Sequence, residues 1–337
     1  MKALVLDKIS KVEDAPLKNR EVGSPFPNES EILVEISCCG ICHTELDEIE
    51  GRVIPKLPVI LGHQIVGRVK EIGKNVTKFQ PGARIGIAWI NSACGKCYFC
   101  ERGEENLCND FKATGCDVDG GYAEYCIISE DFCYKIPDRF SDVQAAPLLC
   151  AGAVGYRSLK LTNMNDCDCI GLFGFGASAH IVLQIIRGLY PNSKVFVFTR
   201  RKDDSASKVA QDMGADWVGT TGDTPPKRLN RAIDTTPAGY VIREALGVLE
   251  KGGRLVTNLI RKESLIPELD YQEHLWNEKE IKSVANITRK DVREFLDIAS
   301  SIPIVSKVHE FDFHDANRAL AMLKHGEYKG AGVLIVK

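Results

Sequence analysis

Two rhythms of apolar and polar positions run along the chain. Up to Cys150 the apolar residues come in short strand-like segments such as EILVEIS (31–37) and QIVGRVKEIG (64–73), where β-branched residues alternate with charges. After Gly155 strands and helices alternate. The stretch CDCIGLFGFGASAHIVLQII from Cys167 begins as an apolar strand and turns at Gly174-Phe175-Gly176. It continues with helix-spaced apolar positions through Ile181, Leu183, Ile185 and Ile186. VFVFTR, RAIDTT, the helix-like Tyr240–Leu249 and GGRLVTNLI extend the alternation. It predicts a doubly wound parallel sheet, a Rossmann domain, whose glycine turn brings backbone close to a pyrophosphate at a helix N-terminus. Ala179 stands at the third glycine position of the fingerprint. The turn and first helical positions, Gly174, Phe175, Gly176, Ala177 and Ser178, are the expected coenzyme-binding residues.

A length of 337 residues allows two domains with substantial cores, and 44% hydrophobic with 26% charged residues is ordinary globular composition. A net charge of -3 gives no electrostatic reason to expect nucleic acid or an anionic membrane as partner. MKALVLDKIS reaches a charge at Asp7 before an apolar core of a signal peptide can form, and no uncharged apolar run approaches the roughly 20 residues of a spanning helix. The expectation is a cytoplasmic protein acting on small molecules.

In a reducing compartment, thirteen cysteines point to thiols or metal thiolates rather than disulfides. Cys94, Cys97, Cys100 and Cys108 have the spacing C-x2-C-x2-C-x7-C in a polar, turn-rich stretch, which matches a closed tetrahedral zinc site. Four thiolates leave such an ion no open position, so it acts as a staple, and metal chemistry has to lie elsewhere. Three places offer ligands: GICHTE around Cys42, LGHQIVG around His63 and PLLCAGAVGY around Cys150. Two thiolates and an imidazole around zinc leave one vacancy to polarise an alcohol or carbonyl oxygen. Each of the three, taken alone, reads more often as a structural or surface histidine or a small buried thiol than as a ligand. Cys38, Cys39, Cys116, Cys126, Cys133, Cys167 and Cys169 read as thiols without chemistry.

The coenzyme preference is read from VFVFTRR. NAD-binding strands usually end in a carboxylate that holds the ribose 2′-hydroxyl, about 20 residues after the glycine motif. This strand ends in Thr199-Arg200-Arg201, which favours NADP over NAD because a guanidinium accepts a 2′-phosphate. The competing reading makes both arginines solvated turn charges and gives the ribose to Asp203 or Asp204.

The ordered set GICHT, GHQ, CGKCYFCERGEENLC, GGYAEY, PLLCAGAVGY and GFGASAH resembles the zinc-dependent medium-chain dehydrogenase family, specifically its zinc alcohol dehydrogenases, over essentially the whole chain. The resemblance implies a β-rich GroES-like catalytic domain over 1–151 and 288–337, with the structural zinc lobe at about 91–110. It places a Rossmann coenzyme domain at 152–287 and the active site in the cleft between the two domains. It implies one catalytic zinc on Cys42, His63 and Cys150 and one structural zinc on Cys94, Cys97, Cys100 and Cys108. By the same likeness Thr44 takes the alcohol proton, His43 lies near the coenzyme pyrophosphate, Trp89 lines an apolar substrate channel, and the protein is a homodimer or homotetramer. The expected reaction is hydride transfer between a primary medium-chain or aromatic alcohol, or its aldehyde, and NADP(H) or NAD(H).

Four residues depart from the family pattern. Gln64 replaces a glutamate, Asp47 stands where some members end the proton relay in histidine, Glu45 is a methylene longer than the aspartate that orients the zinc histidine, and Ala331 replaces an arginine. Two other functions compete. One is a reductase of activated carbon-carbon double bonds, against which the three matched ligands argue. The other is a non-enzymatic zinc module binding nucleic acid or a partner, against which Glu101, Glu104 and Glu105 in the lobe argue.

Overall fold

The computed structural model describes residues 1–202, 204–328 and 330–337, and element counts refer to these. In chain order it forms β1 (Lys2–Leu6), β2 (Leu17–Glu21), β3 (Glu31–Ile41), α1 (His43–Ile49), β4 (Val59–Ile60), β5 (Gln64–Ile72), β6 (Arg84–Ile87) and β7 (Ile90–Ser92). These are followed by α2 (Tyr98–Glu101), β8 (Lys112–Ala113), β9 (Tyr125–Ser129), β10 (Cys133–Lys135), α3 (Asp142–Ala145) and α4 (Ala151–Thr162). Next come β11 (Cys169–Phe173), α5 (Ala177–Leu189), β12 (Lys194–Thr199), α6 (Ser205–Asp212), β13 (Trp217–Thr220), β14 (Leu229–Asp234), α7 (Tyr240–Gly247), β15 (Leu249–Thr257) and β16 (Glu280–Ser283). The chain closes with α8 (Arg289–Ser301), β17 (Val308–Asp312), α9 (Ala316–His325) and β18 (Ala331–Ile335).

Two compact units result: Met1–Cys150 with Thr288–Ser300 and Val305–Lys337, and Ala151–Ile287 with Ser301–Ile304. In the first, a seven-stranded sheet has the order β10-β6-β5-β3-β18-β17, with β9 also on β3, and a smaller sheet has the order β2-β1-β4. β3 is its spine. It pairs antiparallel with β5, β9 and β18, which is why its sequence is apolar almost throughout rather than strictly alternating. Its last residue, Ile41, delivers the chain directly into the turn that carries Cys42.

The second unit is a six-stranded, wholly parallel sheet in the order β13-β12-β11-β14-β15-β16. The order reverses beside β11, the switch point where open α/β sheets place their ligands. Phe173 and Phe198 stack at 4.1 Å beneath it, and Trp217 packs edge-on to Phe198 at 5.1 Å. This fold is the one expected from the strand and helix alternation. No helix of the described residues is long and apolar enough to cross a membrane.

Candidate active site

The site in the first unit is assembled at the end of β3 and the start of α1. Cys42 is the N-cap of α1, and its backbone N–H donates to Glu45 Oε2 at 2.7 Å, so a glutamate three residues into the helix satisfies an orphan amide. The other oxygen of Glu45, Oε1, lies 2.7 Å from His63 Nδ1. One buried carboxylate thereby fixes both the Cys42 turn and the imidazole.

His63 is presented by Gly62, whose φ of +96° and closeness to Tyr122 leave no room for a side chain, since a Cβ there would lie 2.5 Å from the ring. His63 Nε2 is 3.2 Å from Cys150 Sγ, and Cys150 Sγ is 3.9 Å from Cys42 Sγ. The three ligand atoms all lie within 4.8 Å of one another. Trp89 closes the wall edge-on to His63 at 5.0 Å and packs on Ala113 and Cys116, so it is buried behind the imidazole as well as beside the site. Thr44, also buried, sets its Oγ1 3.5 Å from Cys42 Sγ, and His43 is exposed.

Electrostatics match a cation. Cys150 beside it, and then His63, hold the Cys42 thiol well below its ordinary range in spite of burial, whereas the same contact with Cys42 pushes Cys150 well above it. One thiolate and one thiol share the site as a result. Burial opposes charge on His63, but Glu45 and Cys42 outweigh it and raise its pKa well above the usual value. A dense buried negative potential with a soft sulfur, sulfur, nitrogen donor set fits Zn2+, whose binding would replace the protons on Cys150 and on His63 Nε2. Gln64 is buried against Gly40, where a Cβ would meet its Cδ at 2.8 Å.

The second cluster lies in the loop closed by the β7–β8 pair. Cys94, Cys97, Cys100 and Cys108 bring their sulfurs within 4.8 Å of one another. The backbone N–H groups of Cys94 and Asp110 donate to Cys108 Sγ at 3.5 and 3.3 Å, and the N–H of Lys96 is the main cause that draws Cys94 down to about 7. Backbone donors aimed at sulfur are the usual support of a tetrathiolate zinc. The lobe is moored by Glu105, buried and bonded at 3.0 Å to Arg289 Nε at the start of α8. This mooring had no signal in the sequence, because the partners are far apart in the chain.

In the second unit, Gly174 turns at φ +83° where a Cβ would lie 2.7 Å from Thr235 Oγ1, and Gly176 caps α5 with open space around it. Phe175, Ala177 and Ser178 are half-buried at this turn. At the tip of β12, Thr199 is buried and its hydroxyl bonds the Arg201 carbonyl at 3.0 Å and Ser207 Oγ at 2.9 Å, so it shapes the tip from within. Arg200 and Arg201 are exposed, with no ion-pair partner among the described residues. Asp204 is occupied as the N-cap of α6, accepting from Ser207 N at 2.8 Å, while Asp203 lies outside the described residues.

Residues 28–138 match the alcohol dehydrogenase GroES-like domain. A probable alcohol dehydrogenase, AdhA, of Mycobacterium tuberculosis is 40% identical over 331 residues, covering 96% of this chain and 94% of its own. An alcohol dehydrogenase of Geobacillus stearothermophilus is 34% identical over 348 residues, covering 100% and 99%. Among solved structures, CAD from Helicobacter pylori complexed with NADP(H) superposes with a TM-score of 0.87 at 25% identity, covering 99% of this chain and 97% of that one. Identity at this level over the full length, on this fold and with these two ligand sets, makes the chain a member of the zinc-containing medium-chain alcohol dehydrogenase family and an NAD(P)-dependent zinc alcohol dehydrogenase.

Proposed function

We propose that the chain interconverts primary medium-chain or aromatic alcohols and their aldehydes, with NADP(H) preferred to NAD(H). The observation that carries the reaction is the buried Cys42–His63–Cys150 set, held by Glu45, with the Thr44 hydroxyl beside it. Held by Cys42, His63 and Cys150, a zinc ion would supply the Lewis acidity that acidifies an alcohol, and a nicotinamide coenzyme would supply the hydride acceptor. The protein residues do the rest. Glu45 keeps His63 in one tautomer, with the proton on Nδ1 and Nε2 free as the donor. Thr44 Oγ1 accepts the alcohol proton, and Trp89 excludes water from behind His63. Gly174, Phe175, Gly176, Ala177 and Ser178 offer the α5 N-terminus to the pyrophosphate, and the family resemblance assigns His43 to the same group.

The coenzyme preference is supported by two exposed guanidinium groups at the β12 tip, without an ion-pair partner among the described residues, and by the commitment of Asp204 to its cap. The structural zinc on Cys94, Cys97, Cys100 and Cys108 stiffens the lobe and takes no part in chemistry. The protein assembles as a homodimer or homotetramer, a reading supported by the exposed edge strand β16 and the exposed Tyr271, Trp276 and Ile281 around it in sequence.

The test is the loss of nicotinamide absorbance with NADPH or NADH and an aromatic or medium-chain aldehyde, before and after chelation, in the unaltered protein and in Arg200→Ala/Arg201→Ala. Chelator-sensitive turnover is expected, with the double variant raising KM for NADPH about tenfold and leaving NADH unchanged. An unaltered protein that turns over NADH alone overturns the coenzyme preference.

A further inference from the structure

β14 ends at Asp234, which is fully buried at the carboxyl edge of the parallel sheet. Its Oδ1 accepts from the backbone N–H and the hydroxyl of Thr236 at 2.8 and 2.7 Å, closing the turn after the strand. Its Oδ2 accepts from Lys262 Nζ at 2.5 Å, and the same ammonium donates to the Thr236 carbonyl at 2.6 Å. Lys262 belongs to the segment that follows β15, and its side chain is only 14% exposed. A loop lysine normally keeps its charge in water, so this one is drawn into the sheet edge against its ordinary preference.

A buried ion pair is weak evidence for stability, because desolvation offsets the attraction, but it does fix geometry. What this pair fixes is the path of residues 258–264. The N–H of Asn258 donates to the Asp234 carbonyl at 3.3 Å, and its side-chain amide donates to Ser158 Oγ of α4 at 3.1 Å. Further along, the N–H of Glu263 donates to the Pro237 carbonyl at 2.8 Å, and Ser264 Oγ accepts from the N–H of Gly239 at 2.9 Å. The turn beneath is joined to the glycine motif: the Thr235 N–H donates to the Phe173 carbonyl at 2.9 Å, and a Cβ on Gly174 would lie 3.0 Å from Thr236 Cγ2. Asp234 and Lys262 therefore tie the segment after β15 to the turn that opens α5.

Place in the sheet gives the tie a use. A dinucleotide lies across the carboxyl edge at the switch point, with one mononucleotide on either side. The α5 N-terminus beside β11 takes the pyrophosphate and the β12 tip takes the adenosine ribose, which leaves β14 and β15 for the nicotinamide mononucleotide. We propose that Asp234 and Lys262 are positioning residues for the nicotinamide half of the coenzyme, holding residues 258–262 in place across the ends of β14 and β15 before it binds. This rests on the NAD(P)-dependent reading given above. A segment that is already ordered spares the coenzyme the cost of ordering it, so the pair acts on affinity for the whole dinucleotide and leaves its adenosine half alone.

The experiment is calorimetric titration of the zinc-loaded protein with NADPH, NADH and their adenosine halves, 2′,5′-ADP and 5′-AMP, in Asp234→Asn, Lys262→Met and the double variant. Each single variant is expected to raise Kd for the dinucleotide that the unsubstituted protein binds by about tenfold, with the adenosine half of that dinucleotide within about twofold. The double variant should be no worse than either single one, because all three remove the same tie. Lys262 is the more exposed partner, so Lys262→Met decides the matter should Asp234→Asn fail to fold. An equal loss for dinucleotide and adenosine half overturns the proposal in favour of a general loosening of the unit, and unchanged Kd values overturn it outright. A loss in Lys262→Met with none in a folded Asp234→Asn overturns it too, since the ammonium would then act on the coenzyme itself. Failure of the underlying reading is distinct: the unsubstituted protein would bind neither NADPH nor NADH, and the proposal would fall with it.

Discussion

At the scale of single residues, Glu45 has the most demanding position. It is fully buried, and its two oxygens serve the Cys42 amide and the His63 imidazole at 2.7 Å each. Removing its charge while keeping its shape leaves the cap but weakens the hold on the imidazole tautomer. Glu45→Gln is expected to lower affinity for the catalytic zinc about 10- to 100-fold, while the four-cysteine lobe keeps its ion. Competition with a graded chelator, counting zinc per chain, reads this directly. Retention of both ions at unchanged affinity would show that His63 needs no anionic partner. The exposure of Arg200 and Arg201, by contrast, was readable from sequence because a strand tip is exposed by construction, whereas the burial of Thr199 at the end of β12 was not: the direction of its hydroxyl depends on Ser207 from the next helix.

At the scale of elements, the glycine turn into α5 and the cysteine lobe show how far a local pattern reaches. In both, the functional atoms sit within one turn or loop, so spacing in the chain is close to spacing in space. β16 belongs to the other kind. Its pattern EIKS says only that a strand is allowed, and it is the sheet order that leaves its outer edge without a strand partner among the described residues, with all four of its residues exposed. Open edges of this sort recruit another strand or are guarded by charge. Sedimentation of the zinc-loaded protein at micromolar concentration is expected to give a mass of two or four chains, and Ile281→Lys should shift it towards one. A monomer at all concentrations would remove the proposed assembly. Glu105 and Arg289 are a further element-level tie, joining the lobe to the first turn of α8.

At the scale of the whole molecule, acid stability follows from carboxylates held below their ordinary range. Burial works against the charge of Asp216, but Lys194 and Arg187, at 2.8 and 2.7 Å, outweigh it and bring it down to about 2. The native state therefore binds its proton later than the unfolded chain does. The stabilisation is complete above about pH 4 and is lost as the pH falls towards 2. Set against an ordinary 3.8, it amounts to about 2 kcal/mol. Asp216→Asn should lower the unfolding midpoint at neutral pH and flatten the decline between about pH 4 and 2. Denaturant titrations at a series of pH values check this, and parallel curves for the two proteins would contradict it.

The sequence by itself determined the fold class, the family and the four-cysteine cluster, because each is written in short-range form: period-two and helical apolar patterns, a strand-turn-helix glycine motif, and ligands within one loop. It offered Cys42, His63 and Cys150 as separate candidates and joined them into one site only through a resemblance, since 20 residues separate the first two and 86 the last two. The tertiary structure decided the rest. Closing the sheet around β3 brings those three ligand atoms to within 4.8 Å, turns Glu45 inward to face His63, and sets Arg52 rather than open solvent against Asp47. These are contacts between side chains whose directions depend on packing from several elements at once, and no periodicity along one segment encodes them.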